Sequence, residues 1–85
     1  MNKITIYLTQ TCGFCDAAKK FLEERDISYE EIDISSDLEV RGEMMRKSNG
    51  RRTVPQIFLN NKHVGGFSEL YILHQTGELE KLLKD

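Results

Sequence analysis

Apolar and polar positions alternate from Lys3 to Leu8, where Ile4, Ile6 and Leu8 are set against Thr5 and Tyr7. This period of two predicts a strand, and its content suits a central one. A polar turn, Thr9-Gln10-Thr11, follows, and the period then lengthens. Phe14, Ala17, Ala18, Phe21 and Leu22 form one stripe of a helix over 14–25, with Lys19, Lys20, Glu23 and Glu24 outside it. Alternation returns over 28–34 through Tyr29, Ile32 and Ile34. Ser36-Asp37 then reads as a cap for a helix carrying Leu38, Val40, Met44 and Met45, the two methionines being expected in the core. Asn49-Gly50 stops it.

Residues 56–59 predict a third strand, with Gln56 on its surface, and Asn60-Asn61-Lys62 turns the chain into a short strand at His63-Val64. Gly65-Gly66 ends the hairpin. Ser68 and Glu69 open a helix through Leu70, Leu73 and His74, and Gly77 separates a last amphipathic segment with Leu79, Leu82 and Leu83. The order is β-α-β-α-β-β-α plus a C-terminal helix. Its first unit should be a right-handed parallel crossover and its later strand pair an antiparallel hairpin. The expected fold is α/β, a four-stranded mixed sheet flanked by helices, with residues 1–85 forming one domain.

Composition narrows the function classes. Eighty-five residues support one small core, burying roughly 60–70% of the unfolded surface. Twelve Lys and Arg against 14 Asp and Glu give a net charge of −2, which argues against a dedicated nucleic-acid binder. No apolar run approaches the ~20 residues of a membrane span. The N-terminus begins as a strand rather than a signal peptide, so the expected compartment is the cytoplasm.

The two cysteines, Cys12 and Cys15, have only Gly13 and Phe14 between them. A bridge closing so short a loop removes little unfolded-state entropy, so stabilisation explains it poorly. A zinc site would have to recruit His63 and His74, which ten residues separate, whereas finger histidines lie about three to five apart. Redox chemistry fits better. Cys12 falls at the N-terminus of the first helix, where free N–H groups and the dipole favour a thiolate. Such positions can bring a cysteine pKa from ~8.5 into the range of about 3.5–7.5. At an illustrative pKa of ~5 the thiolate fraction at neutral pH rises about 30-fold, while intrinsic nucleophilicity falls about 40-fold. The gain is therefore in leaving ability. Cys12 suits a carrier that accepts a thiol adduct and releases it, and Cys15, one turn further in, suits a resolving role.

Three segments, Cys12-Gly13-Phe14-Cys15, Thr53-Val54-Pro55-Gln56-Ile57-Phe58 and Gly65-Gly66-Phe67-Ser68-Glu69-Leu70, together make the chain resemble a glutaredoxin of the small bacterial dithiol kind. The resemblance implies a thioredoxin-like fold and glutathione-dependent thiol–disulfide oxidoreduction, with glutathione as co-substrate and no resident metal. It implies a cis Pro55 beside the reactive cysteine, which would expose the Val54 backbone to a peptide-like ligand. Gly66, Phe67 and Ser68 would offer N–H groups to the γ-glutamyl carboxylate, and Glu69, where the family usually has Asp, would meet the amino group. One of Arg51 and Arg52 would take the glycyl carboxylate, and Arg52, nearer the turn, is the expected one. Thr9, Phe14 and Thr53 complete the expected ligand surface.

Two departures stand out. Thr9 replaces the family's usual Lys, and Gly13-Phe14 replaces the usual Pro-Tyr. The Cys-Gly-Phe opening is similar to the monothiol branch, which suggests an alternative role in binding or transferring a [2Fe–2S] cluster through Cys12 and glutathione in a dimer. Implied partners are glutathionylated or disulfide-bearing proteins, ribonucleotide reductase among them. Electrons would come from NADPH through glutathione reductase, and without a cluster the protein is expected to be a monomer.

Overall fold

The computed structural model describes residues 2–84. In chain order the elements are β1 (Ile4–Leu8), α1 (Gly13–Glu24), β2 (Tyr29–Asp33) and α2 (Leu38–Lys47), then β3 (Gln56–Leu59), β4 (Lys62–Gly65), α3 (Phe67–Gln75) and α4 (Glu78–Lys84). The strands form one sheet in the order β2-β1-β3-β4. β1 and β2 run parallel from Ile4↔Tyr29 to Leu8↔Asp33, whereas β1–β3 and β3–β4 are antiparallel. This is the expected mixed sheet with its parallel first pair.

Alternation along the two central strands divides the core. Ile4, Ile6 and Leu8 of β1 and Ile57 and Leu59 of β3 pack with Cys15, Ala18, Phe21 and Leu22 of α1, Leu70 of α3 and Leu79 of α4. The intervening Tyr7 and Phe58 pack on the opposite side with Ile34 and Met44, joined by the partly buried Val40 and Met45 of α2. Helices therefore cover both faces, and both methionines belong to the core.

Local chemistry sets the element ends. Asp37 caps α2, its Oδ1 accepting the Glu39 and Val40 N–H groups at 3.0 and 3.2 Å. Asn49 and Gly50 take positive φ, and the Gly50 N–H closes on the Met45 carbonyl at 2.7 Å. Asn60 and Asn61, both at positive φ, make the tight β3–β4 turn.

Gln56 departs from the sequence expectation. It is fully buried. β3 has apolar cover on both faces, Ile57 and Leu59 packing in one cluster and Phe58 in the other, and Gln56 shares the Phe58 face. Alternation predicts a surface position only for a strand with one exposed face.

Candidate active site

The chain leaves β1 and turns through residues 9–11 into α1, placing Cys12 at the helix N-cap in an extended conformation. The Cys15 N–H points at Cys12 Sγ, 3.1 Å away, so the first helical turn directs a donor at that sulfur. Cys12 is half-buried and Cys15 is 1% exposed. The two are bridged as a disulfide with Cα atoms 5.2 Å apart, within the ordinary range for such a bond. One sulfur is thus accessible and the other sits behind it.

A second segment meets Cys12 from across the sheet. The Val54–Pro55 peptide is cis, and the Val54 carbonyl oxygen lies 3.7 Å from Cys12 Sγ. Beside them runs a groove of about 350 Å³, walled by Phe14 on α1, by Arg51, Thr53, Val54 and Pro55, and by Gly66, Phe67, Ser68 and Glu69 at the start of α3. Three stretches far apart in sequence therefore converge beside one sulfur. Phe14 is 68% exposed, leaving an apolar ring open at the mouth.

Charge in the groove is organised by Glu69. Its Oε1 accepts the Gly66 N–H at 2.6 Å, its Oε2 accepts the Ser68 hydroxyl at 3.2 Å, and Arg51 approaches Oε1 at 3.8 Å. The Gly66 N–H is the main cause that holds the Glu69 carboxyl below its ordinary range, aided by Ser68 and Arg51 against some burial. Gly65 makes this fold-back possible. Its φ is +126°, and a Cβ there would lie 2.7 Å from Glu69 Oε1.

Arg51, not Arg52, reaches the groove. The Ser48 hydroxyl, on a residue only 1% exposed, donates to the Arg51 carbonyl at 3.2 Å and fixes the backbone there. The Arg51 guanidinium is then close enough to be drawn to Glu69. Arg52 and Thr9 are not among the described residues lining the groove; Arg52 is exposed, and Thr9 is half-buried at the end of β1.

Two residues behind the groove escape a reading based on motif alone. Gln56 Nε2 donates to the Thr53 carbonyl and Oγ1 at 3.0 and 3.2 Å, and Gln56 Oε1 meets His63 Nε2 at 2.7 Å. Burial, then the nearby Arg51 charge, pushes the His63 pKa down, with Glu69 opposing, which favours the neutral ring. The available signal was the unbroken apolar run Ile57-Phe58-Leu59, which marks a strand covered on both faces, where a polar residue must find partners inside. His74, the other candidate zinc ligand, instead pairs with Glu80 on α4. Among the described residues, no three His, Cys, Asp or Glu side chains group to hold a metal ion.

A family model for glutaredoxin matches residues 4–64. The chain belongs to the glutaredoxin family. Glutaredoxin 3 of Escherichia coli K12 is 42% identical over 84 residues, covering 99% of this chain and all of that protein. Glutaredoxin 1 of Rickettsia conorii is 41% identical over 86 residues, covering 100% of this chain and 84% of that one. Among solved structures, a buckwheat glutaredoxin–glutathione complex superposes with a TM-score of 0.86 at 26% identity, over 98% of this chain and 77% of that one. A Brucella melitensis glutaredoxin does so at 0.82 and 41% identity, over 96% and 88%. The fold is thioredoxin-like, and the chain is an enzyme, a glutaredoxin-type thiol–disulfide oxidoreductase.

Proposed function

We propose that the chain uses glutathione to reduce protein–glutathione mixed disulfides and protein disulfides, with Cys12 as nucleophile and Cys15 as resolving thiol. The observation that carries this reading is the accessible Cys12 sulfur, set against the Val54 carbonyl at the edge of a peptide-sized groove while Cys15 stays buried. A buckwheat relative that shares the fold was solved with glutathione bound.

In the monothiol route the Cys12 thiolate attacks the glutathione sulfur of a mixed disulfide. The Cys12–glutathione disulfide forms, the disulfide bond between the protein and glutathione sulfurs breaks, and the protein thiolate leaves and takes a proton. A second glutathione thiolate then attacks the bound glutathione sulfur, giving oxidised glutathione and returning Cys12 as a thiolate. In the dithiol route Cys12 opens a protein disulfide, and the Cys15 thiolate attacks the Cys12 sulfur. This forms the Cys12–Cys15 bridge and releases the reduced protein, after which two glutathiones reduce the bridge. A good leaving thiolate at Cys12 speeds the step in which glutathione frees it from its mixed disulfide.

Glutathione binding is assigned residue by residue. The Val54 backbone pairs with the cysteinyl unit, and the first N–H groups of α3 at Phe67 and Ser68 take the γ-glutamyl carboxylate. Glu69 faces the amino group, while Arg51, in place of Arg52, takes the glycyl carboxylate. Phe14, Thr53 and Gly66 shape the walls. The electron source is NADPH through glutathione reductase, the setting is cytoplasmic, the enzyme acts as a monomer, and ribonucleotide reductase is of the right substrate class. A [2Fe–2S] cluster would find one accessible sulfur here, Cys12, and would take its other ligands from outside the chain.

Cys12→Ser should abolish reduction of a glutathionylated peptide by glutathione, whereas Cys15→Ser should keep the activity within about tenfold, since the monothiol route needs no second thiol. The assay is coupled to glutathione reductase and NADPH. Equal inactivity of the two variants would sink the division of roles.

A further inference from the structure

Behind the groove, a polar chain centred on the buried Gln56 amide links Thr53 to His63, and the thiol steps themselves do not use it. Gln56, wholly inaccessible at the start of β3, donates from Nε2 to the Thr53 carbonyl at 3.0 Å and to Thr53 Oγ1 at 3.2 Å. A carbonyl oxygen can only accept, so the Gln56 NH2 group must face Thr53 and its oxygen must face His63. His63 Nε2, 2.7 Å from that oxygen, is therefore the donor. Nε2 carries hydrogen in this neutral tautomer and in the imidazolium alike, so the brace survives either charge state of the ring.

The Thr53 carbonyl belongs to the same peptide unit as the Val54 N–H. Only Val54–Pro55 is cis among the described residues, so the Thr53–Val54 unit is trans. In a trans peptide the C=O and N–H point in opposite directions. Holding the carbonyl inward on a buried amide turns the N–H outward, on a residue that lines the groove. Accepting a hydrogen bond at the carbonyl also strengthens the N–H as a donor. Gln56 and His63 are not among the described residues lining the groove, so their influence runs through this one peptide unit.

We propose that Gln56, braced by His63, is the positioning residue of the substrate groove: its amide grips the Thr53 carbonyl and so aims the Val54 N–H at the peptide backbone of a bound glutathionyl unit. The inference rests on the glutathione reading above. It assigns the Gln56–His63 pair to substrate binding and leaves the reactivity of Cys12 untouched.

The test uses Gln56→Met, which keeps length and burial but cannot donate, and Gln56→Glu, which keeps an acceptor for His63 but turns oxygen toward the Thr53 carbonyl. Steady-state kinetics of the full chain with a glutathionylated peptide, at saturating reduced glutathione, should show the peptide KM raised about tenfold in both, as for one or two lost hydrogen bonds. kcat should stay within about twofold of wild type. His63→Phe loses only the brace, so its KM should rise about threefold. Thermal unfolding of each variant reports the folded fraction. An unchanged KM with activity falling in step with that fraction would mean that Gln56 merely satisfies the core, and would overturn the proposal. Should Gln56→Met fail to fold, His63→Phe decides by the same KM criterion. A parallel assay uses the same peptide carrying a mixed disulfide to 2-mercaptoethanol, which has no backbone beyond its sulfur. If the wild type treats both peptides alike, the glutathione reading itself fails. If it prefers the glutathionylated one and Gln56→Met retains that preference in full, only the positioning role fails.

Discussion

The Glu69 carboxylate accepts the Gly66 N–H at 2.6 Å and faces Arg51 at 3.8 Å, so one side chain closes its own helix and also neutralises an arginine of the groove. Its pKa is lowered, chiefly by that N–H. A carboxyl whose folded pKa lies below its unfolded value stabilises the fold fully above the unfolded value, near ~4.3, and loses that contribution as pH falls through the folded one. The side chain is 45% exposed, so solvent screening leaves the ionic part at no more than about 0.5 kcal/mol. For a chain of this size that corresponds to about 2–4 °C in Tm. Glu69→Gln should therefore melt about 2–4 °C below wild type at pH 7, with the gap closing below about pH 4. Thermal unfolding followed by circular dichroism across pH measures both. A gap of unchanged size at pH 3 would assign the effect to packing instead of charge. Residues also show where sequence reading stops. The Cys12–Cys15 pair was legible from its spacing, and the cis Val54–Pro55 peptide from the resemblance. The choice between Arg51 and Arg52 was not, because it depends on a hydroxyl three residues upstream that holds the Arg51 carbonyl.

Among the elements, α2 depends most on its end. Its buried face is narrow, centred on Met44, and Leu38 at its first position is 85% exposed. With little apolar area to hold it, the Asp37 cap on the Glu39 and Val40 N–H groups matters correspondingly more. Asp37→Ala should cost about 1 kcal/mol, a fall of about 4–8 °C in Tm. Reduction of a glutathionylated peptide at 25 °C should stay within about twofold, because α2 itself supplies no wall of the groove. Loss of activity at an unchanged melting point would show that the α2 end steers the Ser48–Arg51 loop more strongly than the cap energy allows. This helix was readable from its Ser36-Asp37 start and Asn49-Gly50 stop, as the other elements were from their periods. What periodicity cannot reveal is the neighbour of each strand. Gln56 reads as a surface residue because it is polar, and only the layers packed on both faces of β3 turn it inward. The groove support built on that residue was hidden for the same reason.

At the scale of the molecule, α4 and the reactive Cys12 lie toward opposite ends of β1. β1 begins near α4, where the Asn2 side-chain amide donates to the Leu82 carbonyl at 2.9 Å, and it ends at the turn into Cys12. At ~3.3 Å per residue the strand and its flanks separate the two ends by about 20 Å. Leu79, fully buried, anchors α4 in the larger core beside Leu70 of α3 and the β1 and β3 aliphatics, with the partly buried Leu82 and Leu83 packed against it. Leu79→Ala removes that anchor and should cost about 2–5 kcal/mol, a large share of the ~5–15 kcal/mol available to a small domain. Denaturant unfolding should show a lower midpoint with little change in slope. At 15–20 °C, where a folded majority is retained, kcat/KM per folded molecule should match wild type. The groove draws on α3 only through its first turn, and that turn is held by Gly66 and Glu69 rather than by α4. A fall in kcat/KM with the protein still folded would instead mean that core packing at α4 is transmitted along α3 to the substrate groove.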